Sequence, residues 1–316
     1  ATLTLVVIAS AAYLAVIPLK AWSAVDRVEN SPTSSPPSGA GRNFLLVGSD
    51  SREGLTAAEL TELSTGPDEG GKRTDSIMIV HVSDHGGAPI VVSIPRDSYV
   101  PIPGKGNSNK INAAYALGGP RLLTDTVQQA TGLHVDGYFE IGFVGFSRVV
   151  DSVGGVDICV AREMKDDLAG IDLKPGCQLL DGRTALGYVR SRHSDPRGDL
   201  GRAERQRQFL GAVMKKAATP GTVLNPRRYA AFADAASAGL TVGSNTSLGD
   251  AIAVAQALRT VGNGEGLSLQ VPIETASLQT KNAGVAVKWN ASQAKTLFAA
   301  LRQDESMTQP PPGTGS

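Results

Sequence analysis

Three short runs of the sequence set a carboxylate and a guanidinium side by side at the ends of apolar stretches. GSDSR follows the apolar run 44–47 and carries Asp50 and Arg52; RTDS precedes the run 77–82 and carries Arg73 and Asp75; PRD follows the run 90–94 and carries Arg96 and Asp97. A fourth stretch, VRSRHSDPRGDLGRAERQRQFL from Val189 to Leu210, crowds Arg190, Arg192, Arg202 and Arg205 beside Asp199 and Gln206. Guanidinium is the side-chain group that matches phosphate oxygens two at a time. Several arginines with two aspartates make little sense for a carboxylate ligand. They suit a pyrophosphate carrying a divalent cation, with aspartates on the metal and arginines on the remaining charge. Magnesium fits, because it takes oxygen ligands and is often held by one or two carboxylates plus substrate phosphates.

These side chains act together only if the fold gathers them. The turn from Asp84 to Pro89, with Gly86 and Gly87, is short enough for a hairpin, so the second and third strands run antiparallel. If the first strand is also antiparallel to the second, all three Asp/Arg pairs meet on one edge of the sheet. Surface ion pairs explain any single pair equally well; three at matching strand ends favour a shared site. The helix from about Arg202 has an apolar stripe of Phe209, Leu210, Val213, Met214 and Ala217. Stepping back four residues along that face gives Arg205 and Gln206, and four more give Arg202. Inward arginines at a helix start make an anion site, since the free amides and the dipole add to it. The alternative is a solvated helix end with local pairing to Glu204, which fits Arg207 better than Arg202. Arg190 and Arg192 alternate with Val189 and Ser191, so both point one way if that piece is extended.

The chain of 316 residues is 41% hydrophobic and 19% charged, enough for a sizeable core. Its 30 basic and 30 acidic side chains cancel, which argues against a nucleic-acid partner bound by bulk charge. Strand-like and helix-like segments mix, with helices expected at 121–130, 143–153, 183–190, 203–218, 228–236, 248–258 and 292–302. Later strands are expected at 267–273 and 285–289. The fold class is therefore α/β: a central mixed, antiparallel-containing sheet with helices on both faces. Residues 1–19 form an uncharged apolar run, expected as a transmembrane anchor, the rival being a cleaved signal peptide with small residues near Trp22. Residues 20–41 are a linker ending in SPTSSPPSGAG, 42–304 the catalytic domain, and 305–316 a disordered Pro/Gly/Ser tail. Cys159 and Cys177, the two cysteines, are expected as a disulfide in an oxidising compartment; two buried thiols are the alternative.

GSDSR at 48–52, RTDSIMIV at 73–80, SIPRDSYV at 93–100, KINAAYALGG at 110–119 and the arginine-rich stretch at 189–210 together resemble the LytR-CpsA-Psr family of bacterial cell-wall glycopolymer ligases. The motifs keep the family's order and span over half the chain. The resemblance implies an α/β sandwich, a magnesium-pyrophosphate site and an apolar tunnel for a polyprenyl tail. It implies transfer of a glycan-1-phosphate from a polyprenyl-pyrophosphate-linked glycan to peptidoglycan, at the muramic acid 6-hydroxyl, by an extracytoplasmic domain on the cytoplasmic membrane. By the same resemblance Asp50 and Asp75 match the magnesium-associated aspartates. Arg73, Arg96, Arg190, Arg192 and Gln206 match the pyrophosphate contacts, while Asp199, Arg202 and Arg205 share the signature. A long insertion from Glu53 to Lys72 departs from the pattern and loosens the alignment of Asp50.

The expected mechanism is positioning and charge neutralisation. Arg52, Arg73, Arg96, Arg190, Arg192, Arg202, Arg205 and Gln206 hold the diphosphate, and Asp75 or Asp199 takes the acceptor's proton. Lys110, Asn112 and Tyr115 contact substrate or simply build a loop and helix start. The run around Tyr138–Val150 lines the tunnel or packs a core. An Ala/Gly/Arg-rich composition is compatible with a high-GC actinobacterium, where arabinogalactan is the natural glycan. Two rivals keep the same site: a polyprenyl-pyrophosphate pyrophosphatase, and a non-catalytic lipid-glycan binding or regulatory protein.

Overall fold

The computed structural model describes residues 2–50, 56, 60, 63, 74–191 and 199–314, the side chains of 2–12, 199 and 200 excepted. Its strands are β1 (Asp26–Val28), β2 (Arg42–Ser49), β3 (Thr74–Val82), β4 (Ile90–Ile94), β5 (Tyr99–Pro101), β6 (Ser108–Lys110), β7 (Gly137–Ile141), β8 (Val156–Val160), β9 (Met164–Asp166), β10 (Ile171–Leu173), β11 (Gly176–Leu180), β12 (Leu240–Gly243), β13 (Leu267–Gln270), β14 (Ile273–Gln279) and β15 (Val285–Trp289). Its helices are α1 (Thr2–Ser23), α2 (Ile111–Thr131), α3 (Phe143–Ser152), α4 (Gly182–Arg190), α5 (Asp199–Ala217), α6 (Pro220–Val223), α7 (Pro226–Gly239), α8 (Leu248–Gly262) and α9 (Ala291–Arg302).

The β-branched runs become strands buried on both faces. They lie at the centre of a mixed sheet ordered β1-β12-β7-β2-β3-β4-β13. The alternation of side chains sends Leu45, Val47, Ile77, Ile79 and Val92 to one face, under α2 and α9. It sends Phe44, Met78, Val80 and Val91 to the other, under α8. A third cluster, including Val149, Leu180, Leu186 and Phe209, joins α3, α4 and α5 to the β8–β11 hairpin. Each fully buried Leu, Ile or Phe in these layers contributes about 1.5–3 kcal/mol.

Register fixes the site. β2 and β3 are antiparallel with Val47 opposite Ile77, and β3 and β4 are antiparallel with Ile77 opposite Ile94. Two residues beyond those pairs the chain reaches Ser49, Asp75 and Arg96. The three motifs therefore do share one sheet edge, as the hairpin argument expects. A register shift between Gly48 and Ser49 re-aims the end of β2, the usual effect of a bulge beside a functional site.

Several boundaries differ from expectation. α2 begins at Ile111 rather than near 121, because KINAAYAL is itself helical. Its two halves meet at a kink where Gly118 and Gly119 leave helical geometry before Pro120, Gly119 with φ 64°. The expected strand 267–273 stops at Gln270, and the chain passes Val271-Pro272 into β14. The linker is strapped to α2: Thr33 donates from its amide and its hydroxyl to Asp125 (2.8 and 2.9 Å), and Gln128 donates to the Ser34 carbonyl (3.1 Å). Near the tail, Gln270 donates to the buried Thr314 carbonyl at 2.7 Å. Backbone pairing at the sheet edge thus holds a segment whose composition reads as disordered.

Asp304, with φ 54°, ties the end of α9 to the β3–β4 turn. Its buried carboxylate accepts from His81 Nε2 (3.0 Å), His85 Nδ1 (2.8 Å), Ser83 Oγ (3.0 Å) and the Asp84 amide (3.0 Å). Burial pushes this carboxyl up, but those hydrogen bonds outweigh it and hold it at about 2. Cys159 and Cys177 face each other across β8 and β11 and are disulfide-bonded, which settles the two-thiol alternative. The apolar N-terminal run forms α1. The side chains of its first half lie outside the described residues, and among the described residues no helix is long and apolar enough to cross a membrane. The expected transmembrane anchor is therefore not found here. What α1 does show is contact with the domain: Tyr13 packs on the Tyr229 ring of α7 at 5.3 Å and donates to the Val223 carbonyl at 3.3 Å.

Candidate active site

At the strand edge, Arg96 Nη1 binds the Asp75 carboxylate, and both side chains are about one-fifth exposed (21%). Asp97 lies 3.6 Å from Arg96 Nε and 3.0 Å from Lys110 Nζ. The KINAAY segment builds this corner. The Ile111 amide donates to the Ser98 carbonyl (2.8 Å) and the Asn112 amide to the Arg96 carbonyl (3.1 Å), so the start of α2 fixes the loop that presents Arg96. Lys110, through Asp97, and Asn112, through its amide, thus help hold the loop. Tyr115 reaches across to donate to Glu140 Oε1 at 2.5 Å, while Tyr138 donates to Glu140 Oε2 at 2.6 Å.

Both phenols are pushed above their ordinary value. For Tyr115 burial leads, followed by the Glu140 bond and charge, with a Ser49 hydrogen bond opposing and the Asp50 charge adding. For Tyr138 burial again leads, followed by Glu140. Asp50 follows Ser49 directly in the chain, and its charge adds to the lift on Tyr115. Glu140 is a site residue the sequence reading missed. Its signal was there: one carboxylate inside the apolar strand GYFEI, on a strand that adjoins β2.

The arginine-rich stretch arrives through α4 and α5. α5 can lie close against α8 because Gly211 meets Gly262 at their crossing. A Cβ on Gly211 would stand 2.5 Å from the Gly262 Cα, so neither position accepts a side chain without separating the helices. That contact carries Arg202 and Gln206 to the sheet edge, where Arg202 is buried (4% exposed) and Gln206 donates to the Val189 carbonyl at 3.2 Å. Arg190 Nη1 donates to the Leu63 carbonyl at 3.2 Å, with its guanidinium over Phe143. Arg205 behaves differently. Its guanidinium is turned to the Tyr188 and Ser191 carbonyls at the end of α4, and it lines neither cavity described below. The inward face is as expected, but α4 lies beneath Arg205 and offers it carbonyl acceptors. Arg52, Arg73 and Arg192 lie outside the described residues, and Asp199 is described only as the first residue of α5.

An apolar cavity of about 620 Å³ runs from this edge between the sheet and the helices. Phe139, Ile141, Phe143, Phe146, Val149 and Val150 supply one wall while also packing in the cores, so this run does both. Leu14, Pro18, Ala21 and Trp22 of α1 supply another. Its polar end is Ser49, Asp75, Glu140, Arg190, Arg202 and Gln206. A smaller cavity of about 370 Å³ shares Asp75, Ser76, Met78, Arg202 and Gln206 with it. For a cation, the corner offers the hard carboxylate oxygens of Asp50 and Asp75. Among the described residues no group of three or more His, Cys, Asp or Glu side chains gathers around one point. A short oxygen-only donor set fits magnesium, which keeps waters and takes phosphate oxygens, and it fits neither zinc nor a caged calcium.

The LytR_cpsA_psr family model matches residues 19–303. A probable cell wall biosynthesis protein, LcpB of Corynebacterium glutamicum, is 44% identical over 287 residues, 91% of this chain and 67% of that protein. A polyisoprenyl-teichoic acid–peptidoglycan teichoic acid transferase, TagU of Bacillus mycoides, is 40% identical over 177 residues, 56% of this chain and 53% of that protein. The chain thus spans about half the length of that transferase. Among solved structures, B. subtilis TagV superposes with a TM-score of 0.65 at 26% identity, over 85% of this chain and 99% of that one. TagT bound to LIIa-WTA gives 0.60 at 26%, over 85% and 92%. The α/β fold with its mixed sheet is common to these structures.

Proposed function

Because the chain belongs to the LytR_cpsA_psr family, we propose that it is a magnesium-dependent glycopolymer phosphotransferase of cell-wall assembly. It moves a glycan-1-phosphate from a polyprenyl-pyrophosphate-linked glycan to peptidoglycan, at the muramic acid 6-hydroxyl, and releases polyprenyl phosphate. Arabinogalactan is the proposed glycan, on composition. One observation carries the reading: the apolar cavity ends in Arg190, Arg202, Gln206 and Asp75, so apolar and anion-binding surfaces are continuous. A lipid joined to a diphosphate has that same division. The names of TagU and of TagT bound to LIIa-WTA support a lipid-linked glycan as the donor.

In this reading the cavity walls bind the polyprenyl tail at about 0.8 kcal/mol per buried methylene. Arg96, Arg190 and Arg202 neutralise phosphate oxygens as charge gathers on the leaving group, joined by Arg73 and Arg192 from their motifs. Gln206 orients the diphosphate, and Asp50 and Asp75 would hold magnesium. When bound, that ion supplies further charge neutralisation on phosphate. Arg96 holds the Asp75 carboxylate in place. The disulfide supports a catalytic domain facing an oxidising, extracytoplasmic space, and the proposed setting is the outer face of the cytoplasmic membrane.

The test incubates the full chain, magnesium, a polyprenyl-pyrophosphate disaccharide and soluble glycan strands, with mass spectrometry of the products. A phosphodiester on muramic acid together with released polyprenyl phosphate is expected. Free glycan-1-phosphate in place of the phosphodiester would replace the reading with a pyrophosphatase. Donor binding without turnover would replace it with a lipid-glycan binding protein.

A further inference from the structure

The smaller cavity adjoins the larger one at Asp75, Arg202 and Gln206. It lies beyond the diphosphate corner, with the β14–β15 hairpin as its outer wall through Ala276, Val285, Ala286 and Val287. That hairpin is pinned over the motif loops. The Val287 amide donates to the Asp97 carbonyl (2.8 Å), Trp289 Nε1 to Ser98 Oγ (2.8 Å), Tyr99 to Asn282 Oδ1 (2.9 Å) and Asn282 Nδ2 to the Ser108 carbonyl (2.8 Å). On the inner side stands Ser93. Ser93 is among the lining residues and is 2% exposed, and its buried hydroxyl has no hydrogen-bond partner among the described residues. A buried hydroxyl without a partner costs roughly 1–3 kcal/mol, which a ligand hydroxyl would recover.

We propose that this cavity is the acceptor subsite, taking the hydroxyl-bearing sugar of the glycan strand; the inference rests on the transfer reading above. Phosphoryl transfer places the attacking and leaving oxygens roughly in line through phosphorus. The leaving polyprenyl phosphate belongs to the apolar cavity, so the nucleophile enters from the side across Asp75, Arg202 and Gln206, where the second cavity lies. A lone attacking water occupies roughly 30 Å³, a small part of the 370 Å³ present. The walls suit a sugar ring, with Ile94, Pro95 and Ala276 for its apolar face and Ser93, Asp97 and Gln206 for its hydroxyls. In the step, the acceptor oxygen bonds to the sugar-linked phosphorus as the bond from that phosphorus to the bridging oxygen breaks. The electron pair leaves on polyprenyl phosphate. The acceptor proton passes to Asp97, a carboxylate of this wall that the apolar cavity does not share.

Ala276 and Val285 are exposed on the hairpin, so Ala276→Trp and Val285→Trp narrow the cavity without touching a core. Both full-length variants are assayed with the disaccharide donor and soluble glycan strands, varying each substrate in turn, alongside their thermal midpoints. The acceptor KM is expected to rise about tenfold or more, with donor KM within about twofold and midpoints unchanged. A rise in donor KM with acceptor KM unmoved assigns the cavity to the donor sugar and overturns the proposal, as does no change in either. If the parent chain itself consumes donor without marking the acceptor, the transfer reading fails first. A parent that transfers normally while the variants keep its acceptor KM overturns the subsite alone.

Discussion

Replacing Arg96 with alanine separates what this arginine does for the fold from what it does for the reaction. In the folded protein it makes a charge-assisted bond to Asp75, and each side chain is 21% exposed. Such a bond is worth about 1.5–3 kcal/mol, and water reaching the stranded Asp75 keeps the loss toward the lower end. For a domain of this size that lowers the melting midpoint by roughly 3–10 °C, leaving a folded protein at 25 °C. In the proposed reaction the same guanidinium would face phosphate oxygens whose charge grows on the way to the transition state. Removing one preorganised donor of that kind costs about 2.7–4 kcal/mol, or 10²–10³ in kcat. Arg96→Lys keeps a point charge without the planar fork and should fall between, about tenfold down. Release of polyprenyl phosphate from a lipid-linked disaccharide gives the rate, and thermal unfolding gives the stability. The Asp75→Ala/Arg96→Ala double variant should lose less than the sum of the singles, since one pair is removed twice. A folded Arg96→Ala protein turning over within about threefold of the parent would refute the assignment of Arg96 to the phosphates.

Three further outcomes follow from the packing. Breaking the Cys159–Cys177 bond, which closes a loop with a sequence separation of 18, should cost about 3 kcal/mol and lower the midpoint by roughly 6–12 °C, read by unfolding with and without reductant. Gly211→Val should destabilise by about 1–3 kcal/mol and lower kcat as well, because separating α5 from α8 displaces Arg202 and Gln206; unchanged kinetics would uncouple that crossing from the site. Asp304 is held near 2 in the fold against about 3.9 when unfolded, so its stabilisation is full above pH 4 and drains away as pH falls toward 2. Denaturant titrations of parent and Asp304→Asn should accordingly differ most above pH 4 and converge near pH 2.

The parts of the site legible in the sequence were those set by period and turn length. A short Gly-Gly turn fixes an antiparallel pair, and from there residue counting puts Asp75 across from Arg96. Stepping by fours along α5 found Arg202 and Gln206. The same arithmetic found Arg205, but periodicity reports a face and not the partner beneath it, and the end of α4 supplies carbonyls there. Glu140 was hidden because its neighbours on GYFEI read as plain core. The β14–β15 wall was hidden because an exposed hairpin docked by its backbone carries no alternation of polar and apolar residues. Likewise the strapped linker and the paired tail rest on contacts to α2 and β13, to which composition is blind.

The docking of α1 against the domain has a practical consequence. Its second half lends Leu14, Pro18, Ala21 and Trp22 to the wall of the large apolar cavity. A fragment trimmed to begin near Asp26 would have a slot along one flank of that cavity, where water would meet the proposed lipid tail. Affinities measured on such a fragment would understate the grip of the chain that keeps α1, and detergent would compete for the opening.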